Sequence, residues 1–261
     1  MAEGISTEIS DLLNEKYLKF NNLSFIEADP ICIPHKFSKK QDIEISAFFA
    51  AILAWGQRKT IINKCNELIQ RMDNSPFDFV SNAQSSDYHT LENFVHRTFN
   101  NTDLLYFLAF FKEHYSCHQS LEEAFMIGND IENNTKLNLI NFRKYFFSLE
   151  DFPKRTRKHI SGPESNSACK RINMFLRWMV RTDRQGVDFG IWNGLRPQQL
   201  VIPCDVHVEN IARKLNLTTR PKADWKMAEE ITNNLKFLDP NDPTKYDFAL
   251  FGMGIEKYFG V

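Results

Sequence analysis

The sequence predicts an all-α protein. Apolar residues recur at intervals of three and four along most of the chain, which is the period of an amphipathic helix. Clusters of Asn, Asp, Gly and Pro separate these segments, and alternating strand patterns are almost absent. The 23 Phe residues indicate a core built from aromatic helix faces. A chain of 261 residues can form one large domain or two lobes.

The N-terminal half is expected to be a series of helices with polar joints. Residues 42–72 predict two helices joined by a turn at residues 54–58, because Gly56 breaks the apolar period. Two prolines interrupt regular structure between residues 29 and 35, and residues 78–85 are predicted to be a loop. The other predicted helices are residues 6–20, 90–97, 102–115, 120–126 and 136–149.

The C-terminal half contains a helix that begins near residues 165–167 and ends at Arg181. A Gly-rich loop, residues 183–199, leads to an extended apolar run at residues 200–202, which is the one candidate for a strand. Asp205 is then the expected N-cap of a short helix, because its carboxylate can accept the free N–H groups of the first turn. Further helices are predicted at residues 225–238, capped by Asp224, and from Pro243 through Phe251, ending at residues 252–254.

Composition narrows the classes of function. The net charge of −1 gives no general attraction to nucleic acid, so DNA binding would require a local basic patch. The five cysteines form no C-x-x-C pair, so we expect neither a disulfide set nor a metal or iron–sulfur cofactor. Scattered cysteines fit a reducing cytoplasm. The N-terminus does not resemble a signal peptide, and no apolar run is long enough to cross a membrane.

The most basic segment is residues 151–162. Residues 154–184 contain nine Lys or Arg against two acids. Such a segment is either a solvated charged loop or a surface that contacts phosphate. The basic residues of the segment itself are Lys154, Arg155, Arg157, Lys158 and His159.

Lys170 and Asp205 each allow two interpretations. Lys170 is predicted in the first turn of a helix, where the helix dipole disfavours a protonated amine. That position suits an amine nucleophile, but it also suits an ordinary surface lysine. Asp205 is either a helix cap alone or a cap that also presents a carboxylate beside a cleft.

Residues 202–217 resemble the segment that carries the catalytic aspartate in the helix–hairpin–helix DNA glycosylase superfamily. In that pattern an apolar residue and Pro precede Asp-x-His-apolar and a short helix, and Asp205, His207 and Arg213 fall on its polar positions. Residues 167–173 are similar to the exit of the family's hairpin, with Lys170 on the nucleophilic lysine. Residues 49–57 resemble a helix followed by a turn with Gln, which in the family approaches the DNA.

The resemblance implies a two-lobed helical protein with a cleft between its lobes. One lobe would be residues 42–150, and residues 151–217 would pack with the N-terminal helix and residues 218–261. It implies a monomeric base-excision enzyme that extrudes a damaged base from double-stranded DNA, with Lys170 as nucleophile and Asp205 as carboxylate. Trp55 and Gln57 would line the base pocket. The implied DNA contacts are Lys154, Arg155, Arg157, Lys158, His159, Gly162, Ser167 and Arg171.

The chain also departs from the superfamily pattern. The Gly-x-Gly turn that grips a phosphate is replaced by residues 162–167, Gly-Pro-Glu-Ser-Asn-Ser. The 35 positions from Lys170 to Asp205 exceed the usual spacing, although the archaeal 8-oxoguanine glycosylase branch tolerates a long one. As a whole, the chain resembles an uncharacterised bacterial family of conserved hypothetical proteins with this fold. The alternatives are a non-catalytic DNA-binding protein with the same fold and a helical protein of unrelated function.

Overall fold

The structure, a computed structural model, describes residues 5–128 and 133–260, and it confirms the all-α class. Several short 3₁₀ turns join the helices. The α-helices in chain order are α1 (Thr7–Phe20), α2 (Leu23–Glu27), α3 (Lys40–Leu53), α4 (Arg58–Arg71), α5 (Pro76–Asn82), α6 (Asn101–Cys117), α7 (Glu122–Phe125), α8 (Lys136–Phe146), α9 (Lys170–Val180), α10 (Val206–Lys214), α11 (Trp225–Leu235) and α12 (Asp247–Ile255).

The predicted helix at residues 90–97 is wrong. A 3₁₀ turn, Asp87–Leu91, precedes two antiparallel strands, β1 (Val95–His96) and β2 (Phe99–Asn100). Asn93 and Arg97 have φ angles of 60° and 55°, and this left-handed conformation cannot continue a right-handed helix. Within the described residues this hairpin is the only sheet, because the extended run at residues 200–202 pairs with no strand. The Ile202 N–H donates instead to Thr232 Oγ1 at 3.0 Å.

Two other predicted boundaries differ from the structure. Much of the loop predicted at residues 78–85 is helix α5, which Pro76 starts at a first-turn position where its missing N–H is not needed. The last helix, which was predicted to end at residues 252–254, ends one residue later at Ile255, so α12 includes both Gly252 and Gly254. These glycines permit close packing, as shown below. None of the described helices is long and apolar enough to span a membrane.

The chain divides into two compact units, which we name by their contents. The Phe-rich unit comprises Ile26–Asn129 and Asn138–Ser161. The Lys170 unit comprises Met1–Phe25, Asp130–Leu137 and Gly162–Val261. The basic segment therefore belongs to the Phe-rich unit, whereas the sequence pattern grouped it with residues 162–217.

Aromatic helix faces form the core of the Phe-rich unit, as the composition predicted. Phe48 of α3 is fully buried, and its ring centroid lies 5.5–6.2 Å from four other Phe rings, mostly at tilted or edge-on angles. Such geometry is favourable for aromatic quadrupoles. The four partners, from α6 and α8, are Phe107, Phe111, Phe142 and Phe146.

Helix α12 is central to the Lys170 unit, where it packs against α1 and α10. A Cβ atom on Gly252 would lie 2.2 Å from the Phe20 ring of α1. A Cβ atom on Gly254 would lie 2.6 Å from His207 Cβ in the first turn of α10. The two glycines therefore set how closely both helices approach α12, and Gly254 fixes the turn that follows Asp205.

Candidate functional site

Lys170 is the first residue of α9, so this helix begins three to five positions after the start predicted near residues 165–167. The N-cap residue Cys169 has φ 50° and makes no side-chain cap hydrogen bond. The positive end of the helix dipole at Lys170 is therefore not offset by a local cap. Trp178 of the same helix is fully buried.

Asp205 is the N-cap of α10, as the sequence predicted. Its Oδ1 accepts hydrogen bonds from the His207 and Val208 N–H groups at 2.9 and 3.0 Å. Residues 200–204 before it are all buried, and they hold the cap at the end of an extended segment. The second carboxylate oxygen, Oδ2, is not used by the cap.

Lys170 and Asp205 lie side by side. Lys170 Nζ is 3.9 Å from Asp205 Oδ2, and the two side chains are 27% and 19% exposed. Solvent therefore reaches the pair, but partial burial strengthens the interaction between the two charges relative to bulk water. A primary amine next to a carboxylate can attack an electrophilic carbon, while the carboxylate stabilises a positive charge that develops there. Their catalytic roles stay predictions.

A buried ion cluster begins two turns after Lys170 on the same face of α9. Arg177 binds Asp247 and, at 3.3 Å, Asp188. Arg181 is fully buried and binds Asp188 at 2.9 Å. Arg181 also binds two further carboxylates, Asp183 at 2.8 Å and Asp242 at 2.9 Å. The cluster thus joins α9 to the loop that follows it and to the start of α12.

Asp247 is the member of the buried ion cluster that interacts electrostatically with Lys170 and Asp205. It is the first residue of α12 and is 5% exposed. Burial raises the pKa of Asp247 to about 6, and the negative charge of Asp205 also raises this pKa. The positive charges of Arg177 and Lys170 act in the opposite direction. Asp247 therefore lies within electrostatic range of both Lys170 and Asp205.

The segment before α9 forms a turn without the Gly-x-Gly pattern. Gly162 is buried, and its carbonyl accepts from the Ser165 hydroxyl at 2.9 Å. Asn166 takes the left-handed conformation, with φ 55° and ψ 25°, which glycine adopts most readily. The Ser167 hydroxyl accepts from the Cys169 N–H at 3.1 Å. Burial lowers the pKa of Arg171. The predicted DNA contacts of Gly162, Ser167 and Arg171 stay predictions.

In the Phe-rich unit, the basic segment is a 3₁₀ turn, Lys154–Lys158, anchored on Asp103 of α6. The fully buried Asp103 carboxylate accepts from Thr156 Oγ1 at 2.8 Å and lies 3.3 Å from both the Arg155 guanidinium and the buried His159 ring. Burial alone would raise the pKa of Asp103, but these partners lower it. The His159 ring is therefore buried against Asp103. The side chains of Lys154, Arg157 and Lys158 are exposed to solvent. A DNA contact by any of these residues stays a prediction.

Trp55 and Gln57 lie in the turn between α3 and α4, also in the Phe-rich unit. Gln57 is exposed and is the N-cap residue of α4, without a side-chain cap hydrogen bond. The Arg97 guanidinium lies over the Trp55 ring, 4.8 Å from its centroid, so one ring face is already covered. The base-pocket roles of Trp55 and Gln57 stay predictions.

Sequence reasoning missed Asp247 and Arg97. Arginines at 177 and 181 within an apolar stripe indicate buried acids, but their spacing does not locate the partners. Arg97 fell inside a wrongly predicted helix, so its place at a hairpin turn was hidden.

Within the described ranges, 5–128 and 133–260, no three His, Cys, Asp or Glu side chains are grouped so that they could hold a metal ion.

Comparison with known proteins places the chain in a family. No curated protein and no solved structure matches it. A family model described as "protein of unknown function (DUF2400)" matches residues 29–256, which include Trp55, Arg97, Lys170, Asp205 and Asp247. Because the match covers most of the sequence, the chain belongs to the DUF2400 family.

Proposed function

We propose that the protein is a DNA base-excision glycosylase in which Lys170 is the nucleophile and Asp205 the catalytic carboxylate. The observation that carries the proposal is the 3.9 Å separation of Lys170 Nζ and Asp205 Oδ2. The two residues are 35 positions apart, and nothing in a cap role for Asp205 requires a lysine beside its second oxygen. The similarity of three segments to the helix–hairpin–helix glycosylase superfamily supports the same assignment.

The chemistry follows from the two groups. A glycosidic bond inside stacked DNA is inaccessible, so the damaged nucleotide must first leave the stack. The neutral Lys170 amine attacks the sugar C1′, the C1′–base bond breaks, and the base leaves with a proton. The adduct opens its sugar ring to a Schiff base on Lys170. Asp205 stabilises the positive charge on the sugar and transfers the first proton that the amine loses to the departing base, and the second amine proton goes to the sugar ring oxygen as the ring opens. β-Elimination from the Schiff base would then cleave the strand, which is the lyase activity.

The test is borohydride trapping on a panel of duplexes that contain damaged bases or an abasic site. Borohydride reduces a Schiff base to a stable amine, so a covalent protein–DNA product should form with the wild type and be absent from Lys170→Gln. Lys214→Gln, an exposed lysine at the end of α10, is the matched control and should trap as the wild type does. Trapping that survives in Lys170→Gln would reject Lys170 as the nucleophile.

A non-catalytic DNA-binding protein is the second candidate, and the turn before α9 favours it. Residues 162–167 replace the Gly-x-Gly turn of the superfamily, and the Ser167 hydroxyl already accepts a hydrogen bond from the Cys169 N–H. In this case the wild type would bind duplexes but neither release a base nor form a trapped product on any duplex of the panel. Base release without trapping would instead indicate a monofunctional glycosylase that depends on Asp205.

A further inference from the structure

Three segments of the Phe-rich unit are linked around the β1–β2 hairpin. The turn between α3 and α4 contributes Trp55, whose ring lies under the Arg97 guanidinium of the hairpin. The next hairpin residue, Thr98, accepts a hydrogen bond through its carbonyl from Arg155 Nη2 at 2.9 Å. The hairpin therefore connects the Trp55 turn to the basic segment, two regions that lie about 100 positions apart in sequence.

The backbone of Arg97 is unusual for its residue type. His96 pairs with Phe99, so Arg97 and Thr98 form a two-residue hairpin turn, and Arg97 has φ 55°. Such turns favour Gly, Asn or Asp at positive φ, because a longer side chain is strained there. Strained residues are typical of functional sites, since the surrounding structure must hold them in place.

The absence of a side chain at Gly56 leaves room for the Arg97 guanidinium. Gly56 has φ 120°, and a Cβ atom at this position would lie 2.9 Å from Arg97 Nη1. A side chain at residue 56 would therefore require the Arg97 guanidinium to shift. The exposed Arg97 side chain thus lies between the Trp55 ring and a position where glycine leaves room for it.

The Arg97 and Arg157 guanidinium groups of this region are oriented by aromatic rings, whereas Arg155 is held by the Thr98 carbonyl and by the Asp103 carboxylate. The exposed Arg157 lies over the Phe152 ring, 4.7 Å from the centroid. Within the part of the chain that the structure describes, neither Arg97 nor Arg157 forms an ion pair with a carboxylate. Arg155 is 39% exposed and shares Asp103 with two other partners.

Other arginines of the molecule show the contrast. Arg71, in the same unit, also lies over an aromatic ring, that of Phe94, but its guanidinium binds Glu67 at 2.8 Å and two carbonyls. Arg177 and Arg181 are buried among carboxylates. A guanidinium that is fixed on a ring and lacks an acid keeps its N–H edge available, and little side-chain entropy remains to be lost when an anion binds.

We propose that Arg97, Arg155 and Arg157, which we call the arginine surface, bind the phosphate backbone of DNA, with Arg97 as the principal contact. The planar fork of a guanidinium matches a phosphate group bidentately. Arg97 and Arg157, which form no ion pair within the described residues, also add the counterion-release term that supplies a large share of DNA affinity. The inference takes its partner, DNA, from the proposed function, but it does not depend on catalysis by Lys170.

The experiment measures the Kd of a fluorescent duplex that contains an abasic-site analogue, by anisotropy at several salt concentrations. Arg97→Gln removes the charge, and Arg97→Gly also relieves the backbone strain. Both variants should bind the duplex several-fold more weakly, and the slope of log K against log salt should become shallower by about 0.9, the value of one phosphate contact. Arg97→Gly should do so without lowering the Tm, which separates a binding defect from a folding defect.

Arg71→Gln is the matched control, because it removes an equal charge from the same unit without touching the arginine surface. It should leave the affinity and the salt slope close to those of the wild type. An unchanged Kd and slope in both Arg97 variants would overturn the proposal, as would a wild type that binds no duplex even at low salt. A wild type that binds DNA through Arg97 but neither traps a Schiff base nor releases a base from any duplex of the panel would support the arginine surface and reject the glycosylase mechanism.

Discussion

Lys170 and Asp205 meet through one carboxylate oxygen, while the other oxygen caps a helix. Asp205 Oδ1 accepts the two N–H groups at the start of α10, and Oδ2 lies 3.9 Å from Lys170 Nζ. The cap role and the proposed catalytic role therefore use different atoms of the same side chain. Substitutions that preserve one role and remove the other can separate them.

Asp205→Asn and Asp205→Ala should differ in stability but agree in activity. Asn caps a helix nearly as well as Asp, whereas Ala leaves the first-turn N–H groups without an acceptor and costs about 1 kcal/mol. Both substitutions remove the carboxylate beside Lys170, so base release should fall by at least about 100-fold in each. Urea unfolding and single-turnover assays give the two readouts.

Asp224 provides the matched control for that comparison. It is the N-cap of α11 and accepts from the Met227 N–H at 2.8 Å. Asp224→Ala should lose a similar amount of stability with no loss of base release. If Asp205→Asn retained full activity on a duplex that the wild type processes, Asp205 would be a cap alone.

The helix caps show what local sequence determines in this chain. Asp205 and Asp224 could be assigned from sequence, because a cap and the apolar period after it lie within a few residues. The buried ion cluster could not be assigned, since Arg177 and Asp247 are 70 positions apart and only the fold brings them together. The same applies to the 3.9 Å contact of Lys170 with Asp205, for which a family resemblance supplied the expectation.

The wrong predictions arise where tertiary packing overrides local preference. Gly252 and Gly254 indicate a helix end, and α12 does end next to them at Ile255, but both lie within the helix where Phe20 and His207 leave no room for a side chain. Arg97 lies at the end of a segment whose apolar residues have helical spacing, yet its backbone takes a left-handed turn conformation. Its guanidinium lies over the Trp55 ring. In both cases the deciding partner is distant in sequence.

Gly254→Ala should disturb the candidate pair without changing either member. The new methyl group would lie 2.6 Å from His207 Cβ and 3.0 Å from His207 Cα, so α10 must shift away from α12. Overpacking of this kind costs about 1–3 kcal/mol, which exceeds the gain in helix propensity. Stability and base release should both fall. Ile255→Ala, at an exposed neighbouring position of α12, should change both much less, and equal effects of the two variants would contradict the prediction.

Asp247 should make stability decrease as pH rises from about 4 to 6. Burial raises the pKa of Asp247 to about 6 in the folded protein, from 3.8. The folded state then binds more protons at Asp247 than the unfolded state between these values, so the contribution of Asp247 to stability is fully present below pH 3.8 and is lost as pH rises through about 6. The full change is on the order of 3 kcal/mol.

Asp247→Asn should abolish this part of the pH dependence, because an amide does not titrate. Urea unfolding of wild type and variant from pH 4 to pH 7 measures the difference between their two stability curves. That difference should change steeply up to about pH 6 and then level off. A difference that is constant with pH would show that Asp247 titrates alike in the folded and unfolded states.

His114 of the Phe-rich unit should act in the opposite sense. Its ring is fully buried, with Nε2 2.9 Å from the Ser120 carbonyl. Burial lowers the pKa of His114 below 6.5, and the nearby His118 adds to that effect while the Ser120 carbonyl opposes it. The unfolded state therefore binds the proton more readily, so this contribution to stability is present above pH 6.5 and is lost as pH falls. His114→Gln should destabilise the protein less at pH 5.5 than at pH 7.5; a larger loss at pH 5.5 would contradict this sign.

Arg181→Met should be among the most destabilising single substitutions. Arg181 is fully buried and binds Asp183, Asp188 and Asp242, so its removal takes the paired cation from Asp183 and Asp242 and leaves Asp188 with Arg177 alone. Breaking a buried ion pair from one side costs about 3–5 kcal/mol. Arg181→Lys keeps the charge but offers one point of contact in place of a planar fork, so its effect should be intermediate.

Arg213→Met, which removes a partly exposed partner of Glu209, is the control and should shift the urea midpoint much less. If Arg181→Met and Arg213→Met shifted the midpoint equally, the buried ion cluster would not hold α9 in place, and the position of Lys170 would need another explanation.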